Sequence, residues 1–238
     1  MTKEHGHSRS EIASRLAATG EGTYLKDMIY GGIDGAVTTF AIVAGVEGAG
    51  LSHSVIIALG IANILADGFS MAASNYSGTK AEVDDRKRIT EIEHRHIRTH
   101  RSGEIEELRQ ILELRGLSGA TLEDATAAIT QDEEKWVAFM LTDEYGLPRD
   151  PPRPTKAALA TFGAFLCAGT VPLLPFIIGG AHAFEISVAA TLATFFAIGA
   201  SKSKWALTTW WRSGGETLLI GAVAALIAYG VGGLFRGV

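Results

Sequence analysis

Five stretches of the sequence are apolar over the length that a helix needs to cross a lipid bilayer. A transmembrane helix requires about 20 consecutive, mostly apolar residues. The pattern therefore predicts an all-α fold, an integral membrane protein with five transmembrane helices. The predicted spans are residues 28–51, 54–76, 156–178, 184–200 and 216–234.

Charged residues are concentrated between the second and third predicted spans. They make up 20% of the chain, an ordinary share for a soluble protein, but they are sparse after Thr155 and crowded from Lys80 to Arg101. This uneven distribution predicts membrane segments with one polar, helical insert. The predicted organisation is an N-terminal segment at 1–27, spans one and two at 28–76, the insert at 77–154, and spans three to five at 155–238.

Basic residues outside the spans predict the orientation of the chain. Cytosolic loops of membrane proteins carry an excess of Lys and Arg. The links GVEGAGLSHS and GGAHAFE contain neither, whereas the N-terminal segment, the insert and the link between spans four and five hold nearly all of them. A cytosolic N-terminus and a cytosolic insert follow, with the C-terminus on the opposite side. The N-terminus lacks the apolar core of a signal peptide, so we expect the first span to be retained.

The net charge and the cysteine count also limit the possible functions. A net charge of -5 argues against nucleic-acid binding, which needs a basic face. The single cysteine, Cys167, cannot form an internal disulfide, and its apolar surroundings favour a packing role.

Local signals predict several helices in the insert. No residue after the second span forces a stop, so one helix is expected to continue to about Arg101. Ser102 and Gly103 are predicted to break it, with Ser102 capping the next helix, and Gly116 is predicted to end that one. Capping boxes are predicted at Thr121 with Asp124 and at Thr130 with Glu133, followed by a last helix through WVAFMLTDEYG.

A carboxylate in the first span is the most informative single residue. A charged side chain at membrane depth costs roughly 2.5–3.5 kcal/mol on insertion scales, so Asp34 needs a partner or a function. In the second span, polar side chains recur at steps of four and form one stripe of the helix. Oxygen ligands with one thioether suit a borderline ion such as Fe²⁺. The stripe comprises Asn63, Asp67, Met71 and Asn75.

A purely structural interpretation competes with the metal interpretation of this stripe. Asn, Ser and Thr often hydrogen-bond one membrane helix to another, and this is the favoured interpretation for Asn63 and Asn75. It explains Asp34 and Asp67 less well, because a carboxylate adds a charge cost that an amide avoids.

The insert contains a second group of possible metal ligands. Carboxylate and imidazole side chains recur at helical spacing and are followed by a Met and a Glu one turn apart, a combination that suits a divalent metal. The alternative is a solvated charged helix held by Glu–Arg pairs. The candidate ligands are Glu93, His96, His100, Glu104, Glu107, Met140 and Glu144.

The stretches YGGIDGAVTTFAIVAGVEGAGLS and GIANILADGFSMAASNYSGTKAE resemble the signature of the vacuolar iron transporter, or Ccc1-like, family. The resemblance covers nearly the whole chain. It implies a homodimer that exports Fe²⁺, and often Mn²⁺, from the cytosol in exchange for protons, through a pathway between the protomers that the first spans line. It places Asp34 and Met71 on that pathway and makes the insert a cytosolic metal-binding domain.

The insert departs from the family pattern at one position. The family has two carboxylate pairs spaced ExxE, followed by a Met with a Glu four residues later. Glu104 and Glu107 match the second pair, and Met140 and Glu144 match the last element, but the first pair is Glu93 with His96. Imidazole still binds Fe²⁺ or Zn²⁺, while the charge of the site changes.

We therefore expect a transporter rather than an enzyme, with no required cofactor and Fe²⁺ as substrate; Mn²⁺, Zn²⁺ and Co²⁺ are further candidate ions. The expected partners are a second protomer, membrane lipid, divalent metal ions and protons, with no nucleic acid. The expected location is a bacterial plasma membrane, or a vacuolar membrane if the source is eukaryotic. The alternatives are a membrane-anchored ferritin-like di-iron oxidase or metal-storage protein, based on the Glu91–His94 and Glu93–His96 spacings, and a purely structural membrane protein.

Overall fold

The computed structural model describes residues 6–17 and 24–234, and every regular element in those ranges is helical. Short 3-10 turns at Val171–Leu173 and Ser203–Trp205 extend α7 and α9. The helices are α1 (Arg9–Ala17), α2 (Leu25–Gly48), α3 (His53–Thr99), α4 (Arg101–Leu114), α5 (Gly119–Ile129), α6 (Glu133–Asp143), α7 (Pro154–Thr170), α8 (Leu174–Ile178), α9 (Ala183–Lys202) and α10 (Trp210–Leu234).

Five helical segments are long and apolar enough to cross a membrane, which confirms the predicted number of spans. They are α2, the first part of α3, the segment from α7 through α8, α9 with its 3-10 turn, and α10. The fifth begins at Trp210, six residues before its predicted start at 216. The reason is packing: the Ser213 hydroxyl donates to the Gly199 carbonyl oxygen at 2.7 Å, so this turn is held against α9.

Glycines bring the membrane helices into backbone contact. A methyl group added at Gly31 would lie 2.2 Å from the Thr161 carbonyl oxygen, and one added at Gly35 would lie 2.4 Å from that of Phe165. Only a residue without a side chain permits this approach of α2 to α7, a common device where lipid provides no hydrophobic driving force between helices.

The helices fall into two compact units. Residues 24–78 and 154–234 form the unit that contains the apolar spans. Residues 6–17 and 79–153 form the other, to which the second half of α3 contributes. In the second unit α3, α4, α5 and α6 surround an apolar core. Its buried members are Ile89, Ile97, Leu108, Leu112, Leu122, Trp136, Val137, Met140 and Leu141.

The break after α3 lies two residues earlier than predicted. As expected, α3 is continuous from His53 to Thr99. The backbone then leaves helical geometry at His100 (φ -137°, ψ 38°), which becomes the N-cap of α4. Ser102 and Gly103 lie inside the first turn of α4, so the prediction that Ser102 caps the helix was wrong. The Gly103 and Glu104 amides instead donate to the His100 carbonyl oxygen.

Both predicted capping boxes were also wrong. α5 begins after Ser118, which is extended, so Thr121 lies within the helix, and Thr130 is the C-cap of the same helix. α6 is capped by Asp132, whose side chain accepts a hydrogen bond from the Lys135 amide. The end of α4 near Gly116 was predicted correctly, since this glycine has a φ of +92°.

Candidate metal centres

The change of direction at His100 brings the last turns of α3 against the first turn of α4. Glu93 and His96 on α3 meet Glu104 on α4, and each offers one ligand atom within 4.8 Å of the others. The His96 Nδ1 atom lies 3.3 Å from Glu104 Oε1. A single ion with bonds of about 2.1 Å joins ligand atoms up to about 4.2 Å apart, so a small contraction would close these three ligands around one metal.

Two buried carboxylate oxygens in this group have no hydrogen-bond donor within residues 6–17 and 24–234. Glu93 is 1% exposed and Glu104 is 6% exposed. Their Oε2 atoms are buried without a partner among the described residues. A buried charge is costly unless it is paired or coordinates a metal, and a divalent cation would satisfy both oxygens at once.

Two further carboxylates raise the negative charge here. Burial and the neighbouring Glu93 and Glu107 carboxylates raise the pKa of Glu104 above its ordinary value. Burial and the charges of Glu107, Glu93 and Glu104 raise the pKa of Glu144 to about 7. We call Glu93, His96, Glu104, Glu107 and Glu144 the insert cluster. Such mutual repulsion is relieved when a cation binds.

Met140 and His100, the other predicted ligands of the insert, are placed differently. Met140 is fully buried in the apolar core, one turn before Glu144. His100 is exposed; its Nδ1 atom is 2.9 Å from the Thr99 hydroxyl, and its ring meets that of His96 edge-on.

Tyr145 also belongs to this site, although no spacing or motif in the sequence indicated it. Its hydroxyl donates to Glu93 Oε1 at 2.8 Å. Burial and this hydrogen bond raise the pKa of the hydroxyl, so it remains a donor. The available signal was its position, directly after Glu144 and before Gly146, which has a φ of +66° and turns the chain.

The two Glu-x-x-His pairs do not converge. His96 faces Glu104, whereas His94 Nδ1 lies 2.7 Å from Glu133 Oε1 on α6. Arg98 reaches the same Glu133 oxygen at 4.0 Å. On this part of α3 the contacts are those of a charged surface with ion pairs, and the two Glu-x-x-His pairs do not adopt the ligand arrangement of a ferritin-like site.

The unit of apolar spans contains the second candidate centre. Asp34 on α2 and Asp67 on α3 are both half-buried, and their carboxylates are close enough to act on each other electrostatically. We call them the span pair. In the described part of the chain, neither carboxylate forms an ion pair with a basic side chain. Met71, one turn beyond Asp67, is also half-buried.

The amides of the stripe join helices, as the structural interpretation predicted. Asn63 Nδ2 donates to the Thr38 hydroxyl at 3.3 Å, linking α3 to α2. Asn75 Nδ2 donates to Asp27 Oδ1 at 2.8 Å and to the Thr161 hydroxyl at 2.6 Å, linking α3 to both α2 and α7. These hydrogen bonds from the two Asn side chains hold together the helices that carry the span pair.

The chain is similar to iron transporters of plants and protozoa. A family model described as the VIT family matches residues 25–233. Vacuolar iron transporter 1 of Arabidopsis thaliana is 32% identical over 212 residues, covering 87% of this chain and 84% of the relative. Vacuolar iron transporter 1 of Oryza sativa subsp. japonica is 30% identical, covering 96% and 91%. The vacuolar iron transporter of Toxoplasma gondii is 34% identical, covering 99% and 80%.

Proposed function

The chain belongs to the VIT family, and from that membership we propose that it exports Fe²⁺, with Mn²⁺ as a second substrate, from the cytosol in exchange for protons. The relatives are named as transporters, so the class is transporter and not enzyme. Iron is therefore the substrate that the protein transports and not a cofactor that it requires. A di-iron oxidase is not favoured, because His94 and His96 face different partners.

The insert cluster is the proposed collecting site for the metal. Four carboxylates and one imidazole attract divalent cations and raise their local concentration. Met140 completes the proposed ligand set of Glu93, His96, Glu104, Glu107 and Glu144. Two buried carboxylate oxygens, on Glu93 and Glu104, have no donor in the part of the chain that the structure describes, which supports this role.

Within the spans, the proposed pathway passes the span pair and Met71. Each carboxylate can hold a metal ion or a proton, because a cation favours its ionised form and burial favours its neutral form. Competition between the two at Asp34 and Asp67 would couple metal movement to proton movement. The observation that carries this proposal is a pair of half-buried carboxylates on facing helices with no basic partner among the described residues.

The proposed assembly is a homodimer with the pathway between protomers, lined by α2 and α3. Large apolar side chains remain exposed on the α3 span, including Leu65 and Phe69, which are 57% and 68% exposed. Lipid and a second protomer would both cover such a face. The proposed setting is a bacterial plasma membrane, or a vacuolar membrane in a eukaryote, with the N-terminal segment and the insert in the cytosol.

Transport into vesicles tests the proposal. Purified protein in liposomes with an acidic interior should accumulate Fe²⁺ and release internal protons. Asp34→Asn should abolish both fluxes, while Glu185→Gln, which removes an exposed carboxylate outside the pathway, should leave them intact. Wild-type rates in the Asp34→Asn variant, or metal uptake without proton movement in the wild type, would contradict the mechanism.

A further inference from the structure

Tyr145 touches the insert cluster through its side-chain hydroxyl but has no role in the proposed ligand set. Its hydroxyl donates to Glu93 Oε1 at 2.8 Å. The other oxygen of the same carboxylate, Oε2, is buried and has no donor among the described residues. The two oxygens of Glu93 therefore have different environments, and Tyr145 creates the difference.

The local backbone holds the tyrosine in place. α6 ends at Asp143, and the Tyr145 amide still donates to the Met140 carbonyl oxygen at 3.4 Å. Gly146 then takes a φ of +66°, and the Leu147 amide donates back to the Leu141 carbonyl oxygen at 2.9 Å. This is a helix-ending turn that depends on glycine. Because the turn is closed by backbone bonds, the Tyr145 ring is directed by the fold and not by a flexible loop.

The inference rests on the proposed role of the insert as a metal-collecting site. We propose that Tyr145 is a positioning residue that reserves one oxygen of Glu93, so that Glu93 gives the metal a single oxygen and the insert cluster selects ions of low coordination number over Ca²⁺. Hydrogen-bond partners of this kind commonly orient metal ligands, and their loss costs about 10- to 100-fold in affinity.

The chemistry of the two ion classes explains the selectivity. Ca²⁺ takes 6–8 oxygen ligands and frequently uses both oxygens of one carboxylate. Zn²⁺, Co²⁺ and Fe²⁺ accept fewer ligands and bind imidazole well. A cluster with His96 as a nitrogen donor and Glu93 limited to one oxygen therefore meets the needs of the second class and not those of Ca²⁺.

Cobalt binding to the full-length protein in detergent tests the inference. Co²⁺ is stable in air, and its visible absorption reports coordination number, which a purely structural residue would not change. Asp34 and Asp67 are replaced by Asn throughout, so that the span pair does not contribute. The comparison is between Tyr145→Phe, which removes only the hydroxyl, and Tyr76→Phe, the same change at an exposed position of the α3 span. Ca²⁺ is added as competitor, and thermal unfolding verifies that each variant is folded.

Tyr145→Phe should weaken Co²⁺ binding by about 10- to 100-fold, lower the absorption per bound Co²⁺, and let Ca²⁺ compete at lower concentration. Tyr76→Phe should change none of these. A Co²⁺ affinity and spectrum within twofold of wild type in Tyr145→Phe would overturn the inference, as would equal effects in Tyr76→Phe. If the double variant Glu104→Gln with Glu107→Gln leaves Co²⁺ binding unchanged, the insert is not the collecting site. That result would contradict the proposed function, whereas the Tyr145→Phe comparison tests only the role of Tyr145.

Discussion

Metal binding by the insert should depend on the proton that Glu144 holds near neutral pH. Burial and three carboxylates, led by Glu107, raise the pKa of Glu144 to about 7. A metal must displace the proton before this carboxylate can bind it. With that pKa, about nine-tenths of Glu144 is ionised at pH 8 and about one-tenth at pH 6, so the contribution of Glu144 weakens the apparent affinity about tenfold from pH 8 to pH 6. A carboxylate with an ordinary pKa would change by only a few per cent over the same range.

Calorimetric titration of Co²⁺ into the full-length protein at pH 6, 7 and 8 measures this effect. The span pair is replaced by Asn so that only the insert contributes. At pH 7, binding should release about half a proton from Glu144, which is measured by repeating the titration in buffers of different ionisation enthalpy. The Glu144→Gln variant should bind Co²⁺ more weakly and should no longer release this half proton. The His96→Glu variant separates the contribution of the imidazole to the pH dependence. Identical pH dependence in wild type and Glu144→Gln would refute the reasoning.

The proton on Glu144 should also make the stability of the metal-free protein depend on pH. Metal affinity should rise with pH, whereas this contribution to stability should fall. A carboxyl group whose pKa is raised on folding holds its proton more tightly in the folded state, so its effect on stability is most favourable below about pH 4.5 and is lost as pH rises towards 7. The unfolding temperature of wild type relative to Glu144→Gln should therefore fall between pH 5 and pH 8 without metal. A rising difference would contradict the assignment.

Three further outcomes follow from other parts of the structure. His96→Glu should raise the affinity for Mn²⁺ relative to Co²⁺ and Zn²⁺, measured by competition, because a hard oxygen replaces a nitrogen donor; an unchanged ratio would exclude His96 as a ligand. Gly35→Ala should cost about 1–3 kcal/mol of unfolding free energy, since its new methyl group would meet the Phe165 carbonyl oxygen at 2.4 Å, while Gly163→Ala, where a methyl group has open space, should not. Asn75→Ala should cost about 1–2 kcal/mol of unfolding free energy, as expected for loss of the hydrogen bonds from Asn75 to α2 and α7; a loss no larger than that of Gly163→Ala would show that these hydrogen bonds do not hold the helices.

The features that could be predicted from the sequence are those set by local composition. Five apolar stretches specify five spans, and the absence of a breaker after the second span specifies a continuous α3. The helix caps were harder to predict from the sequence, because several Ser, Thr and Asp residues lie near each helix start and packing decides which of them becomes the cap. Asp132, not Thr130, caps α6 for this reason.

The candidate centres divide in the same way. Helical spacing placed Glu93 and His96 on one face of α3 and singled out Glu104, and the structure brings the three together through the break at His100. Spacing could not reveal Tyr145, since its contact with Glu93 joins residues 52 positions apart and depends on how α6 packs. Whether these residues hold metal stays a prediction.

The two helices that carry the span pair are packed to different degrees within their unit. The backbones of α2 and α7 are in contact at the glycines of α2. Half of the apolar span in α2 is buried, against 22% of the apolar span in α3. α3 instead meets α7 through side chains, as where Gly68 faces the ring of Phe165. Asp34 therefore lies on the helix that is packed more tightly within this unit, and Asp67 on the helix that is packed less tightly. In the transport that we propose, a tilt of α3 alone would change the distance between the two carboxylates.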